Sequence, residues 1–431
     1  MDRRSLLLAL TLGVLAALGT GSSVSVASPS KHPCLVANAR TGQSYGTLQE
    51  AVDAAAGTGD TLRVKGTCYG DTMISKSLAI VGQGASTLNG GNNAQSLGHV
   101  VSVGGTVAIT GLTITGGVAF YGGGILNGGS LTLINSTVTG NTTKEDGGGG
   151  GGISNGGSLT LINSTVSDNA APVYAGPCEG KGGGIENSGS VTLDNSTVAR
   201  NTAFCEGGGI FNREGSLTLK NSTVTGNKAG GVGGIDNEEG SLTLNNSTVA
   251  NNIGGGIYNA TGPLTLNNST VAGNTGSGIT KTLIVHEGGA VEQKGPATLN
   301  NSVVTRNTAE FGGGIDNEQG SLTLNNSEVV RNTAKFSGGG ISNEGPKTLG
   351  ARESSLTLNN STVTRNKAEL GGGIDNRGSL MLDDSSSVMR NTAAEHGGGI
   401  YNVLTEGATI TFGIGWTGSV SRNEPDNIFN F

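Results

Sequence analysis

Two neighbouring aspartates, Asp383 and Asp384, are the first candidates for chemistry in this sequence. They form its only Asp-Asp step, and His396 follows them in the tripeptide EHG. Two carboxyl groups that flank a glycosidic bond can act as the acid and the base of its hydrolysis. Asp383 and Asp384 are therefore the catalytic candidates. The segment around them, LDDSSS, also fits a degenerate copy of a repeated segment, and we favour that interpretation.

A second group of acids directly follows the isoleucine of a recurring GGGI segment: Glu186, Asp236, Asp316 and Asp375. Clustered carboxylates are ligands for calcium, so calcium is the cofactor to consider. The intervening segments carry Phe211, Tyr258, Val291 and Ser342. This spacing predicts that the acids do not touch one another. GGGID also lacks the tandem nine-residue period of the calcium-binding GGxGxD motif, so we expect no resident metal and no other cofactor.

Arginine fills one position of the last five repeats, directly before their final asparagine: Arg306, Arg331, Arg365, Arg390 and Arg422. Earlier repeats carry Gly140, Asp168, Arg200, Gly226, Asn251 and Gly273 there. Stacked repeats would place the arginines in one column, about 4.8 Å apart. The planar guanidinium binds carboxylate and phosphate through two hydrogen bonds, so the column predicts a site for an anionic polymer such as a uronate or teichoic chain. We favour the simpler interpretation, a solvated strip that forms salt bridges with Glu310, Glu369 and Glu395.

A repeat places all of these residues. The isoleucine that closes the glycine run recurs every 22 to 33 residues, if Ala290 of GGAVEQ fills one gap. The positions are Ile125, Ile153, Ile185, Ile210, Ile235, Ile257, Ile315, Ile341, Ile374 and Ile400. A period of this length indicates stacked structural repeats.

Each repeat predicts one coil of three short strands. In Gly207–Asn227 apolar residues alternate with polar ones, as in Leu217-Thr218-Leu219, which is the period of a strand. Asn212, Asn221 and Asn227 recur in nearly every unit, so stacking predicts columns of hydrogen-bonded amides. In this register Asp383 faces outward and Asp384 takes an asparagine position, so the two should face different ways.

The N-terminus resembles an export signal: Arg3 and Arg4 precede the apolar run Leu6–Leu18. The run is too short for a confident membrane span, so we expect no transmembrane segment in the mature chain. Four cysteines in an exported protein should pair. Cys178 and Cys205 occupy the same turn of adjacent repeats, which predicts the disulfides Cys178–Cys205 and Cys34–Cys68.

The segment YGTLQEAVDAA, followed by GDTLRVKGTC and SLAIVGQG, resembles the N-terminus of exported right-handed parallel β-helix proteins of the pectin-lyase-like superfamily. Later units, which pair GGGI with VxxN, resemble polymorphic outer membrane protein repeats, except that valine replaces phenylalanine. The resemblance implies a single right-handed parallel β-helix of about a dozen coils with an N-terminal capping helix. We divide the chain into a signal peptide (1–27), a cap (28–70), irregular coils (71–121), regular coils (122–396) and a last coil with a C-terminal cap (397–431).

The resemblance also implies an enzyme alternative, because many such proteins cleave polysaccharides. Their hydrolases use an NxD…DD constellation with GHG and RxK, and this chain has no NxD beside Asp383 and has EHG in place of GHG. The net charge of −7 argues against nucleic-acid binding. We therefore expect an exported, extracellular or cell-surface protein, monomeric and non-catalytic, with a structural, adhesin-like or polysaccharide-binding role. The alternative is an enzyme that acts on acidic polysaccharide.

Overall fold

The computed structural model describes residues 34–91, 98–144, 148–172, 180–276, 291–345 and 353–431. The predicted signal peptide lies outside these residues. Within them, the helices are one α-helix, Leu48–Ala54, and one short 3-10 helix, Leu404–Glu406. Nearly all other regular structure is strand, because the repeats alternate apolar and polar residues.

Each coil contributes up to three principal strands, which we call the Ile, Leu and Val strands after their buried residues. The Ile strands are Thr72–Ile74, Val101–Val103, Ile125–Asn127, Ile153–Asn155, Ile185–Asn187, Ile210–Asn212, Ile235–Asn237, Ile257–Asn259, Val291–Gln293, Ile315–Asn317, Ile341–Asn343, Ile374–Asn376, Ile400–Asn402 and Ile428–Asn430. They form one 14-stranded sheet.

The Leu and Val strands share a second sheet, because Ser77–Asn89 and Thr106–Thr115 each run through both positions. The Leu strands are Thr58–Lys65, Ser77–Asn89, Thr106–Thr115, Ser130–Ile134, Ser158–Ile162, Ser190–Asp194, Ser216–Lys220, Ser241–Asn245, Leu264–Asn267, Pro296–Asn300, Ser321–Asn325, Ser355–Asn359, Ser379–Asp383 and Thr409–Phe412. The Val strands are Thr67–Tyr69, Thr137–Thr139, Thr165–Ser167, Thr197–Ala199, Thr223–Thr225, Thr248–Ala250, Thr270–Ala272, Val303–Thr305, Glu328–Val330, Thr362–Thr364, Ser387–Met389 and Ser419–Ser421.

Two four-stranded sheets lie at the corner between the Val and Ile strands. The first contains Val118–Ala119, Thr142–Thr143, Ala170–Ala171 and Thr202–Ala203. The second contains Thr308–Phe311, Thr333–Ser337, Lys367–Leu370 and Thr392–His396.

Equivalent strands of adjacent coils pair in parallel and in register. Ile185 pairs with Ile210, and Leu193 pairs with Leu219. The paired isoleucine, leucine and valine side chains are almost completely buried and form one continuous core. The chain is therefore a right-handed parallel β-helix, as predicted.

Two of the predicted asparagine columns are internal hydrogen-bond ladders. Asn187 Nδ2 donates to Asn212 Oδ1 at 2.6 Å in the column that ends the Ile strands. At the corner after the Val strands, the backbone N–H and Nδ2 of Asn227 both donate to Asn252 Oδ1 at 3.0 Å. These side chains are buried, so the ladders satisfy backbone groups that turn away from the sheets.

The third column differs from the prediction. Asn221 lies at the corner between a Leu and a Val strand with φ of 48°, and its side chain is exposed. Its equivalents share the left-handed conformation: Asn135, Asn163, Asn195, Asn246, Asn268, Asn301, Asn326 and Asn360. Asparagine is selected there because it tolerates this conformation. The predicted amide-to-amide bonding is therefore wrong for Asn221, although Asn360 Nδ2 does donate to Asn326 Oδ1 at 2.7 Å.

The register of the GGAVEQ unit also differs from the prediction. Val291 pairs with both Ile257 and Ile315, so Val291 takes the core position that we assigned to Ala290. Ala290 itself lies outside the described residues. The shift of one residue makes Glu292 the neighbour of Asp316 in the next coil.

The first coil carries the predicted helical cap. The helix begins with a capping box formed by Thr47 and Glu50, and it buries Leu48, Ala51 and Val52. Two further strands, Leu35–Asn38 and Ser44–Tyr45, precede it, and Leu35–Asn38 pairs antiparallel with Thr58–Lys65. The predicted disulfide Cys34–Cys68 is present. Cys178 lies outside the described residues, so the Cys178–Cys205 disulfide stays a prediction.

Side chains of the last coil complete the ladders. Asn423 is the last member of its ladder, and its Nδ2 donates to Asn427 Oδ1 at 3.3 Å. Trp416 Nε1 donates to Ser386 O at 3.0 Å. The ring of Phe429 stacks on Tyr401, with 5.7 Å between centroids. The Asn427 side chain thus takes the place of the next asparagine in the ladder, and the two aromatic residues pack the last coil against the preceding one.

Candidate functional site

The five predicted arginines lie in one column, which we call the arginine column: Arg306, Arg331, Arg365, Arg390 and Arg422. Each directly follows a Val strand, and these strands pair in register. The backbone N–H of Arg331 donates to Thr364 O at 3.2 Å, and that of Arg390 donates to Ser421 O at 3.4 Å. All five side chains are exposed. The column therefore presents five guanidinium groups over roughly 19 Å, at about 4.8 Å per coil.

All five arginines have a left-handed backbone, with φ between 56° and 58°. Earlier coils place residues that tolerate this conformation in the same position, among them Gly226, with φ of 64°, and Asn251, with φ of 55°. A long side chain on such a backbone costs on the order of 1 kcal/mol per residue relative to glycine. Five successive arginines therefore lower the stability of the fold at a position where the glycine or asparagine of several other coils avoids that cost.

The acids named as possible partners do not neutralise the column. Glu310 lies 3.8 Å from Lys335 instead. No ion pair within 4.0 Å joins an arginine of the column to a described acid. The same position does form an ion pair elsewhere, because Arg200 Nη2 lies 2.8 Å from Asp168 Oδ2. Where the structure describes both groups, the salt bridges of the strip that we favoured are absent, so that prediction is not supported.

Asp383 and Asp384 occupy different positions of their coil, as predicted. Asp383 ends a Leu strand and pairs with Asn359, while Asp384 lies at the corner with φ of 51°. Asp383 Oδ1 accepts the backbone N–H of Asp384 at 2.9 Å. His396 lies on another sheet, where its ring stacks on Phe429 at 4.1 Å. The structure therefore does not unite these three residues in one site.

The acids that follow the core isoleucines lie on the outer face of the Ile strands but are largely buried. The exposed fractions of Asp236, Asp316 and Asp375 are 0%, 0% and 1%. Burial raises the pKa of Asp375, and Arg377 Nε, 3.3 Å from its Oδ2, opposes that shift. The four acids named from the sequence lie in coils that are not adjacent, but the corrected register places a further acid, Glu292, beside Asp316.

One group of acids has a spacing that could hold a cation. Asp316, Glu318 and Glu344 each offer a carboxylate oxygen, and these atoms lie within 4.8 Å of one another. Lys294 Nζ already lies 3.4 Å from Glu318 Oε2 and 3.9 Å from Glu292 Oε1. An ammonium group therefore supplies positive charge to this region. Glu318 and Glu344 directly follow the last asparagine of their Ile strands, a position that our sequence analysis did not consider.

A groove of about 570 Å³ lies on the outer face of the first Ile strands. Ser102, Gly128 and Ser154 contribute to its lining, together with the exposed side chains of Met73 and Tyr121. Glu186 also lines the groove, and burial raises the pKa of its carboxyl group. Ser154 Oγ donates to Glu186 Oε2 at 3.2 Å. Sequence analysis named Glu186 but missed the groove, because small residues at equivalent positions reveal a hollow only once the coils are stacked.

A search of the described residues for a helix that could cross a bilayer finds none of the required length and hydrophobicity. Comparison with the curated proteins gives no match. Comparison with the solved structures gives none either. The family model of the right-handed beta helix region matches residues 85–258, in agreement with the coils described above.

Proposed function

We propose that this protein is an exported, non-catalytic β-helix that binds a linear anionic polymer through the arginine column, in an adhesin-like or structural role at the cell surface. The observation that carries the proposal is the run of five left-handed arginines without a described ionic partner. Unfavourable backbone conformations tend to cluster where a binding site needs them.

The geometry of the column suits a repeating anion. Stacking fixes the backbones of the five arginines along one line, so a polymer with regularly spaced carboxylates or phosphates can contact several of the guanidinium groups at once. Each exposed contact is weak, but contacts along one chain act together because the first binding event raises the effective concentration of the next. A uronate or teichoic chain has this chemistry, and its binding should weaken as salt screens the charges.

Export is part of the proposal and has two supports. The N-terminal leader has the composition of a signal peptide. The Cys34–Cys68 disulfide fits an oxidising compartment, since disulfides rarely persist in a reducing cytosol. Fractionation of cells that express the full chain tests this directly. Protein that retains residues 1–27 and stays in the cytosolic fraction would contradict export.

The binding test uses polygalacturonate and a polyglycerol phosphate at low and moderate salt. We expect the wild type to bind at least one of them at low salt. The triple variant Arg331→Gln, Arg365→Gln and Arg390→Gln should lose that binding, and its far-UV circular dichroism should be unchanged.

A matched control replaces Arg63, Arg200 and Arg213 by Gln, which removes the same charge outside the column. This variant should bind nearly as well as the wild type. Equal losses in both triple variants would show that net charge, and not the column, attracts the polymer. A wild type that binds neither polymer at low salt would end the proposal.

The groove supports a second candidate function, cleavage of an acidic polysaccharide. Burial raises the pKa of Glu186, so its carboxyl group would stay protonated to higher pH, as a general acid requires. Hydrolysis also needs a second carboxyl group about 5–9 Å away. The next acid in the same column is Asp236, two coils further on. Its side chain is buried, which counts against it as that second carboxyl group. Incubation with uronate polymers, assayed for new reducing ends and unsaturated products, tests this candidate; turnover that Glu186→Gln abolishes would place it first.

A further inference from the structure

The outer face of the Leu strands carries an unbroken row of threonines in nine successive coils. The row consists of Thr132, Thr160, Thr192, Thr218, Thr243, Thr265, Thr298, Thr323 and Thr357. Each pairs directly with the next, without a bulge. The row therefore repeats about every 4.8 Å along the coil axis.

High β-propensity alone does not account for this row. Valine, isoleucine and aromatic residues share that propensity, so the hydroxyl group, which favours threonine at a half-exposed position, must also contribute. On the neighbouring Val strands an outward column begins with threonine but changes to Val303 and then Glu328. The Leu strands keep one residue type over the same coils, so the methyl and hydroxyl groups recur at a constant spacing.

The threonine hydroxyls are available to a ligand. The threonine side chains of the row are partly exposed. Where the structure describes both partners, none of their hydroxyls forms a hydrogen bond to another protein group. A hydroxyl can both donate and accept, so each can bond to two or more waters. The row is therefore a regular line of unsatisfied hydrogen-bonding groups on a rigid sheet.

A second row of polar groups runs beside the threonines and is fixed by its own bonds. It consists of Asn245, Asn267, Asn300, Asn325 and Asn359. From Asn267 onward, each asparagine Nδ2 donates to Oδ1 of the preceding one at 2.8 Å. Successive outward residues of a strand lie roughly 6.6 Å apart. The two rows thus form an uncharged two-dimensional lattice.

We propose that this face, the threonine and asparagine rows of the Leu strands between Ser241 and Asn359, binds ice. A single hydrogen bond exchanged with water contributes little net free energy, so binding to a water lattice needs many groups that are already in register. Ice is likewise a periodic lattice of oxygen atoms that donate and accept hydrogen bonds, so a face whose groups repeat in two directions can contact many of them at once. A rigid sheet loses little conformational entropy on binding, and the absence of charge from both rows avoids strongly hydrated groups that disturb ordered water. The rows also lack the aromatic rings on which a crystalline polysaccharide would stack.

The test is partition of the purified protein into slowly growing ice, together with thermal hysteresis. We expect the wild type to enter the ice and to depress its growth temperature. The variant Thr243→Tyr with Thr298→Tyr places two rings on the face, two coils apart, and should lose most of both activities.

The matched control is Thr223→Tyr with Thr270→Tyr, which puts the same rings two coils apart on the Val strands. It should retain both activities, and equal melting temperatures of the two variants would show that both fold. The arginine-column variant should also retain them, which separates this inference from the proposed function. Exclusion of the wild type from ice, equal losses in the two tyrosine variants, or retention by cellulose but not by ice would each overturn the inference.

Discussion

Arg200 and Asp168 form a bidentate ion pair between adjacent coils: Nε and Nη2 of the arginine each lie 2.8 Å from one carboxylate oxygen. Both residues have the left-handed backbone of the position before the final asparagine. The pair lowers the pKa of Asp168 and raises the pKa of Arg200. It shows how this fold neutralises an arginine at that position. In the arginine column the same position holds arginine in five successive coils, and no coil among them supplies an aspartate there.

The first prediction concerns stability at the column. The variant Arg331→Asn, Arg365→Asn and Arg390→Asn should match or exceed the stability of the wild type, because asparagine tolerates the left-handed backbone and relieves up to about 1 kcal/mol per site. Thermal unfolding followed by circular dichroism measures the effect. Arg213→Asn, at an exposed position without positive φ, is the control and should give no gain. A clear loss of stability in the triple variant would mean that these arginines support the fold.

The second prediction concerns the internal asparagine ladder. Asn227→Ala should destabilise the protein by about 2–4 kcal/mol, because buried groups of Asn201 and Val198 lose their partners. Asn246→Gly is the control. Its exposed side chain lies at a left-handed corner that glycine adopts readily, so the change should be nearly neutral. Urea unfolding measures both variants. Similar effects at the two positions would contradict the division into internal ladders and corner asparagines.

The third prediction concerns the disulfides. Cys34 and Cys68 close a loop with a sequence separation of 34, so Cys34→Ser with Cys68→Ser should lower stability by about 3–4 kcal/mol in the loop-entropy estimate. Thermal unfolding of the purified oxidised proteins measures the loss. Peptide mapping without reduction should also yield a Cys178–Cys205 peptide. A peptide that joins Cys68 to Cys178 would contradict both pairings.

The fourth prediction concerns acid sensitivity of the N-terminal cap. Asp60 accepts hydrogen bonds from Arg40, from the Ala56 backbone and from Asn38, and these hold its pKa well below the usual range. Because the folded pKa is depressed, the stabilisation is complete above the ordinary pKa of about 4 and is lost as pH falls towards the folded value. Hydrogen exchange of the helix Leu48–Ala54 in wild type and Asp60→Asn, compared at each pH, measures it. The difference between the two proteins should be large at pH 7 and should shrink below pH 4; a constant difference would contradict this.

The sequence by itself determined the coil. The spacing of the core isoleucines, together with the alternation Leu217-Thr218-Leu219, fixes which residues are buried and which equivalents stack. The same register predicts that Asp383 and Asp384 face different ways and that the five arginines stack in one column. It does so because equivalent residues of successive coils lie directly above one another. The capping helix was predictable from a local signal, the capping box of Thr47 and Glu50.

The tertiary structure was needed for two kinds of feature: those that change when the register shifts by one residue, and those that are formed by groups from several coils. Ala290 and Val291 are both small and apolar, so composition could not choose between them; pairing with Ile257 and Ile315 chose Val291 and brought Glu292 beside Asp316. Asn221 and Asn227 both recur in nearly every unit of the sequence, but a positive φ leaves the first exposed and stacking buries the second. The groove beside Glu186, and the lack of a described counter-charge for the arginine column, likewise depend on contacts between coils, where distances are set by packing and not by the order of residues along the chain.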